Sequence, residues 1–269
     1  LVAQVGGLDT TNVRRLTLAL LTALIMLSLV PLTGWAGQVS LAQITFVGVG
    51  ALVMAEFAGD AGVELCVRWT QAGAWYPLAR NHNHRASTPQ EPFAFGPAAA
   101  ALMRRALRRR YRLLPYIYAA FITASQTGAP VQRPLVFDHQ DDPATRDLDD
   151  QYLFGPDLLV APVHTPGQTA RQVYLPDGEW YDWHTGELHQ GGQRIKAQAP
   201  LDTIPLYAKV GSVLPMWTDS PKSTHGYYPT AIELRVFVPS TDGVHMSSLT
   251  EDDGLTFAAT SLQDAFVER

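Results

Sequence analysis

A single cysteine, Cys66, stands among 269 residues, so no internal disulfide is available and stability must come from packing. Charge is sparse too: 17% of residues are charged against 46% hydrophobic, the balance of a folded globular chain rather than a disordered one. Positive charge is in deficit, and a net charge of −5 argues against a general nucleic-acid binder. No low-complexity tract and no repeat with a period of about 20–50 residues is visible, which excludes a solenoid. Carboxylates are scarce in the first half, where only Asp9, Glu56, Asp60, Glu64 and Glu91 precede residue 138.

What is present begins with an uncharged run, LTLALLTALIMLSLVPL at residues 16–32, which follows Arg14 and Arg15. A basic pair ahead of an apolar run resembles a signal sequence or short membrane anchor. The run is near the lower limit of about 17 residues for spanning a bilayer, and Pro31 interrupts its end. A helix buried on several sides of a large domain has the same pattern. The buried helix, in a cytoplasmic chain, is the expectation; the anchor or signal is its alternative.

Chain length suits one large domain or two modest ones. Before about residue 137, helical patterns alternate with short strand-like runs at 44–49 (ITFVGV) and 131–137 (VQRPLVF), which suggests parallel α/β units. The longest helix is expected to start after Gly96, with Pro97 at its first position, and to run through AAAALMRRALRRRYRLL. Pro115 should kink or end it, and a second apolar helix over 116–125 should stop before Gly128 and Pro130. Later segments, DLLVAPV, RQVYLPDGEWYDW, IPLYAKVGSVLPMW and AIELRVFVP, are short β-rich runs between turn residues and read as a β-sandwich.

The most unusual stretch is ELCVRWTQAGAWYPLARNHNH, residues 64–84. Leu65, Val67 and Trp69 alternate like a strand, while Ala72, Trp75 and Tyr76 sit at helical spacing until Pro77. Bulky aromatics beside guanidinium and imidazole groups suggest a loop that lines something. The stretch resembles the signature of glycoside hydrolase family 31, the α-glucosidase family. So does GAPVQRPLVF (128–137), with Arg133-Pro134 on what would be the last barrel strand. DQYLFGPDLLVAPV, GEWYDWHTGE and LDTIPLYAKVGSVLP resemble the family's passage into its proximal sandwich and that sandwich's strands, and LTEDDGLTF the start of the distal one.

That resemblance implies α/β followed by all-β, a partial (β/α)8 (TIM) barrel with a C-terminal β-sandwich. Residues 1–137 would be the later half of the barrel, with 1–56 divergent. Residues 138–217 would be the proximal sandwich, and 218–269 the beginning of a distal one. It implies retaining hydrolysis of an α-linked gluco-oligosaccharide or related α-glycoside, with one carboxylate as nucleophile and another as acid/base. No cofactor, metal or nucleic acid is implied. The substrate-binding candidates carried over are His82, touching sugar hydroxyls, Arg80, bracing the loop, and Trp75, a sugar-stacking face or simply packing. Arg68 and Trp69 are expected to pack and brace.

Other groupings have plainer readings. His82 and His84 form an H-x-H pair without a further ligand nearby in sequence, so metal binding is not expected. Arg104, Arg105, Arg108, Arg109 and Arg110 are spaced to meet phosphates, yet in an acidic chain a solvated outer helix face is the expectation. Glu251-Asp252-Asp253-Gly254 lacks EF-hand spacing and reads as a turn.

Catalysis is where the chain departs from the family. The nucleophile of a Trp-x-Asp-Met motif has no match. The Gly-Asp-Asn type acid/base motif is matched only imperfectly by GGLDTTNVRRLTLALL (6–21), leaving Asp9 as the one catalytic candidate, with a helix N-cap as its alternative role. FVG is followed by VGALVMAEF where the family carries an Asp. About 137 residues before the sandwich are roughly half of the ~250 a whole barrel takes. The expectation is a truncated family member that is inactive alone; a non-catalytic carbohydrate-binding or subunit-interaction module, with or without an anchor at 16–32, is the alternative.

Overall fold

A computed structural model describes residues 62–81, 89–239, 244–251 and 261–268. Asp9, the runs at 16–32 and 44–49, the loop histidines His82 and His84, and Asp252-Asp253-Gly254 lie outside the described residues.

The first described element is helix α1, Gly62–Gly73. The strand-like alternation at its start is overridden, because Val67, Arg68, Gln71 and Ala72 share one helical face and are buried together. After a 3-10 turn at Pro92–Phe95 comes α2, Gly96–Arg112, whose buried Ala99, Ala100, Met103 and Ala106 recur at helical spacing. Val67 of α1 packs on Ala99 and Met103 of α2. The ladder breaks at Leu113, and α3, Leu114–Thr127, follows with Pro115 in its first turn, where a missing N–H costs nothing. Gly128 ends α3 in the left-handed region at φ 78°, its N–H returning to the Ala124 carbonyl.

Next come β1, Gln132–Arg133, and a short α4, Leu135–Asp138, so the expected strand over 131–137 shrinks to two residues. Arg133-Pro134 explains the contraction, since proline donates no ladder bond. Moreover, β1 pairs antiparallel, with β2 (Tyr152–Phe154), rather than in a parallel barrel register. The chain continues through β3 (Leu158–Val160), β4 (Ala170–Leu175), β5 (Glu179–Asp182), β6 (Leu188–Gln190), β7 (Gln193–Gln198), β8 (Leu206–Lys209), β9 (Val213–Trp217), β10 (Ile232–Val236), β11 (Val244–Glu251) and β12 (Ser261–Glu268).

Strands β1-β2-β3-β8-β5-β6 form one antiparallel sheet, and β4 pairs with β7. Period-two alternation divides the sheet's side chains between two cores. Phe154, Leu158, Val160, Leu206 and Ala208 face the helices, packing with Trp75, Leu113, Tyr116 and Ile117. Leu153, Leu159 and Tyr207 point the other way, against Val173, Leu175 and Trp180. Burial on both faces is why β3 reads as an unbroken apolar run. Beyond it, β9 and β10 pair residue for residue from Val213↔Val236 to Trp217↔Ile232, and β11 pairs with β12. Among the described residues, no helix is long and apolar enough to cross a membrane.

Candidate functional site

The segment after α1 carries the sequence-predicted sugar contacts, and its shape is set by α2. The Arg110 guanidinium donates to the carbonyls of Ala74 (3.0 Å), Tyr76 (2.6 Å) and Pro77 (2.9 Å), which would otherwise be orphaned beyond the helix end. Burial lowers the Arg110 pKa, yet the group stays a cation and its bonds are charge-assisted. This corrects the outer-face reading of the arginine cluster: Arg110 points inward as a clamp.

Aromatics close the same segment from the other side. The Tyr76 ring lies 6.0 Å from Tyr152 and 6.5 Å, edge-on, from Trp69. Tyr152 donates to the Trp75 carbonyl at 3.4 Å, and burial raises the pKa of both tyrosines. Trp75 itself is 2% exposed, edge-on to Phe154 and Trp183. Its ring is core, the packing role that sequence offered beside sugar stacking. Arg80 and Asn81 are exposed, and Asn81 donates to the Gln90 carbonyl at 2.6 Å, drawing together the ends of the loop that contains His82.

Two adjoining hollows flank this segment. One, of about 360 Å³, is lined by Trp69, Tyr76, Leu78, Arg133, Asp149 and Tyr152 among others; a smaller one, of about 130 Å³, adds Arg80 and Asn81. Arg80 and Asn81 therefore share a concave surface with the exposed aromatic edges, whereas Trp75 does not join them.

Each described carboxylate of the first half has another occupation or place. Glu64 accepts the Gly167 N–H with both oxygens, at 3.1 and 2.9 Å, tying α1 to a turn of the sandwich. Glu91 precedes the 3-10 turn without capping it. Asp149 is the carboxylate lining the larger hollow among the described residues. A retaining glycosidase needs two, about 5–5.5 Å apart. No group of three or more His, Cys, Asp or Glu suited to a metal occurs among the described residues.

Two positioning arginines were only partly legible. Arg68, 4% exposed, donates to four carbonyls: Gln168 (3.1 Å), Ala199 (2.6 Å), Pro200 (3.0 Å) and Thr203 (2.8 Å). Arg133 pairs with Asp138 at 3.1 Å and reaches the Pro130 carbonyl at 2.9 Å, fixing the turn into α4. Sequence marks Arg68 as a bracing group and places Arg133 on a barrel strand, but gives no partner for either.

With this geometry in place, its relatives are informative. Residues 36–120 match the glycosyl hydrolases family 31 TIM-barrel domain, and residues 128–214 match the family's C-terminal domain. The chain belongs to glycoside hydrolase family 31. It is 39% identical over 202 residues to alpha-glucosidase 2 of Bacillus thermoamyloliquefaciens, covering 75% of this chain and 25% of that protein. Human neutral alpha-glucosidase C is 40% identical over 220 residues, covering 81% and 24%. The Flavobacterium johnsoniae GH31 dextranase, solved with isomaltotriose, superposes with a TM-score of 0.67 at 35% identity, covering 71% of this chain and 24% of that one. The chain thus spans about a quarter of the length of the relatives it matches. The fold is α/β followed by all-β, a TIM-barrel portion leading into the family's C-terminal domain.

Proposed function

We propose that this chain supplies one wall of a retaining α-glycosidase site, with Arg80 and His82 as its contacts to an α-linked gluco-oligosaccharide or related α-glycoside. Residues 138–217 serve as the proximal sandwich behind that wall, and 218–269 open a distal one. The observation that carries this reading is the Arg110 clamp on the carbonyls of residues 74, 76 and 77. It fixes the backbone that leads directly into Arg80-Asn81-His82, and rigid support is what a sugar-contact loop requires.

Chemistry is a separate matter from contact. A double displacement needs a carboxylate on each side of the anomeric carbon. Glu64 is committed to the Gly167 amide, and the family's nucleophile motif has no counterpart in the sequence. Asp9 is the one acid/base candidate. The chain on its own therefore holds sugar weakly and does not cleave it.

Titration with an α-linked glucose trisaccharide, followed by backbone amide NMR shifts, tests the contact. Saturable shifts should centre on residues 76–82 and vanish in His82→Ala. Their absence, or their persistence in that variant, would overturn the assignment.

A further inference from the structure

Four arginines on one face of α2, Arg105, Arg108, Arg109 and Arg112, meet Arg235 of β10 across a cleft of about 330 Å³. Glu233 is the one carboxylate lining it among the described residues, beside Trp183 and Met216. So much positive charge on one face is unexpected in a chain of net charge −5. Arg105 and Arg109, like Arg108 and Arg112, stand four residues apart on a helix, where like charges repel. A bound anion or a carboxylate would offset that repulsion.

The protein supplies only part of the offset. Arg105 pairs with Asp202 at 3.2 Å, and Arg112 with Glu233 at 2.5 Å, Arg112 also donating to the Trp217 carbonyl at 3.1 Å. Arg235 is held in place by the Trp183 carbonyl at 3.0 Å, and its guanidinium lies 3.9 Å from the centre of the Trp183 ring. These contacts leave three guanidiniums preset in direction before any ligand arrives. Between them, Arg109 is half-buried and has no hydrogen bond or ion pair from its side chain among the described residues. Arg108, at the rim, is exposed and likewise unpaired.

We infer that this cleft is a binding site for a phosphate group, free or as the monoester of a small sugar. Planar guanidiniums match the oxygens of phosphate in bidentate fashion, and converging forks from two elements give the group several donors at once. The volume suits a small organic ligand rather than a bare ion alone. Burial first, then the neighbouring Arg105 and Arg235, bring the Arg109 pKa down to about 10, as is expected for a cation that lacks its counter-charge.

Calorimetric titration of the 269-residue chain tests this, with inorganic phosphate, glucose 1-phosphate and glucose as separate ligands at ionic strength matched with sodium chloride. Saturable binding of both phosphates is expected, with glucose far weaker and its binding, at the separate sugar-contact segment, unchanged by the cleft variants. Tighter binding of glucose 1-phosphate would assign the site to the ester, and equal binding would assign it to the free anion. Arg109→Gln and the exposed Arg108→Gln should each weaken the phosphates, by about tenfold for Arg109. Arg104→Gln, on the same helix but outside the cleft, should leave them unchanged. Should Arg109→Gln fail to fold, the Arg108 and Arg104 variants decide. No phosphate binding above the chloride control, or equal weakening by Arg104→Gln and Arg108→Gln, would overturn the site.

Discussion

The guanidinium of Arg68, on the first described helix, donates at 2.6 Å to the carbonyl of Ala199, 131 residues further along the chain. With the carbonyls of Gln168, Pro200 and Thr203 it forms a four-point stitch between barrel helix and sandwich. Gln71 adds a bond to the Leu201 carbonyl at 2.7 Å. Burial lowers the Arg68 pKa, but Glu64 and Asp202 favour the cation. Replacement by Met keeps the apolar stem and strands the carbonyls, so Arg68→Met should cost about 3 kcal/mol or more. Lysine, a point charge rather than a fork, should recover less than half of that. Urea denaturation followed by Trp fluorescence measures both; a loss below ~1 kcal/mol for the Met variant would mean the stitch is dispensable.

A second prediction concerns a close approach. Gly155 sits at φ 64°, and a Cβ there would fall 2.2 Å from Tyr116 Oη. That hydroxyl donates to the Phe154 carbonyl at 2.8 Å and accepts the Asp157 N–H at 3.3 Å. Gly155→Ala therefore combines left-handed strain with a clash and should destabilise by about 2–4 kcal/mol. Tyr116→Phe in the same chain removes the clashing oxygen, so the double variant should lose less than the sum of the single losses. Strict additivity in a double-mutant cycle would contradict this contact.

Asp157 gives a pH signature. Burial raises its carboxyl pKa from 3.8 to about 6, against the nearby Tyr116 hydroxyl and the charges of Lys209 and Arg133. A carboxyl whose folded pKa lies above its unfolded one holds its proton more firmly in the native state. Stability therefore falls as pH rises from about 4 to about 6, and the cost is fully present above that window. It is on the order of 3 kcal/mol. Asp157→Asn should be the more stable chain at pH 7 and should lose the advantage near pH 4. Chemical denaturation of both chains across pH 4–7 reads this difference directly, and a pH-independent gap would refute it.

Much of the architecture was legible because strong local signals agreed with the fold. Pro97, the Leu113–Pro115 break and Gly128 bound the two long helices where proline and glycine preferences place them. The strands at 158–160, 170–175, 206–209 and 213–217 are apolar runs between turns. Strands β6 and β7 were not legible: LHQ and QRIKAQ bury Ala197 alone and are held by cross-strand pairing. Helix α1 was half-legible, since its buried face includes Arg68 and Gln71, polar residues that break the apolar period.

Arginine geometry was the least legible part of the site. Spacing put Arg104 to Arg110 on one helix, but direction decides function. Arg110 turns inward to three carbonyls, Arg105 pairs with Asp202 at the cleft, and Arg109 lines that cleft opposite Arg235 from β10. No local pattern announces hydrogen-bond partners that lie 33 to 97 residues away. Sequence left Trp75 open between packing and stacking for a related reason, its core neighbours Phe154 and Trp183 being distant in sequence.

We propose that this member of glycoside hydrolase family 31 contacts sugar through residues 80–82 but does not by itself cleave it. Assay of the purified chain with an activated aryl α-glucoside, beside Asp9→Asn, tests it most directly. Enzymes commonly lower such barriers by about 8–23 kcal/mol, and a missing nucleophile removes most of that. The account predicts no release of the aryl alcohol above buffer for either chain. Turnover by the unaltered chain that disappears in Asp9→Asn would contradict it, because Asp9 would then be working with a second carboxylate that the account denies.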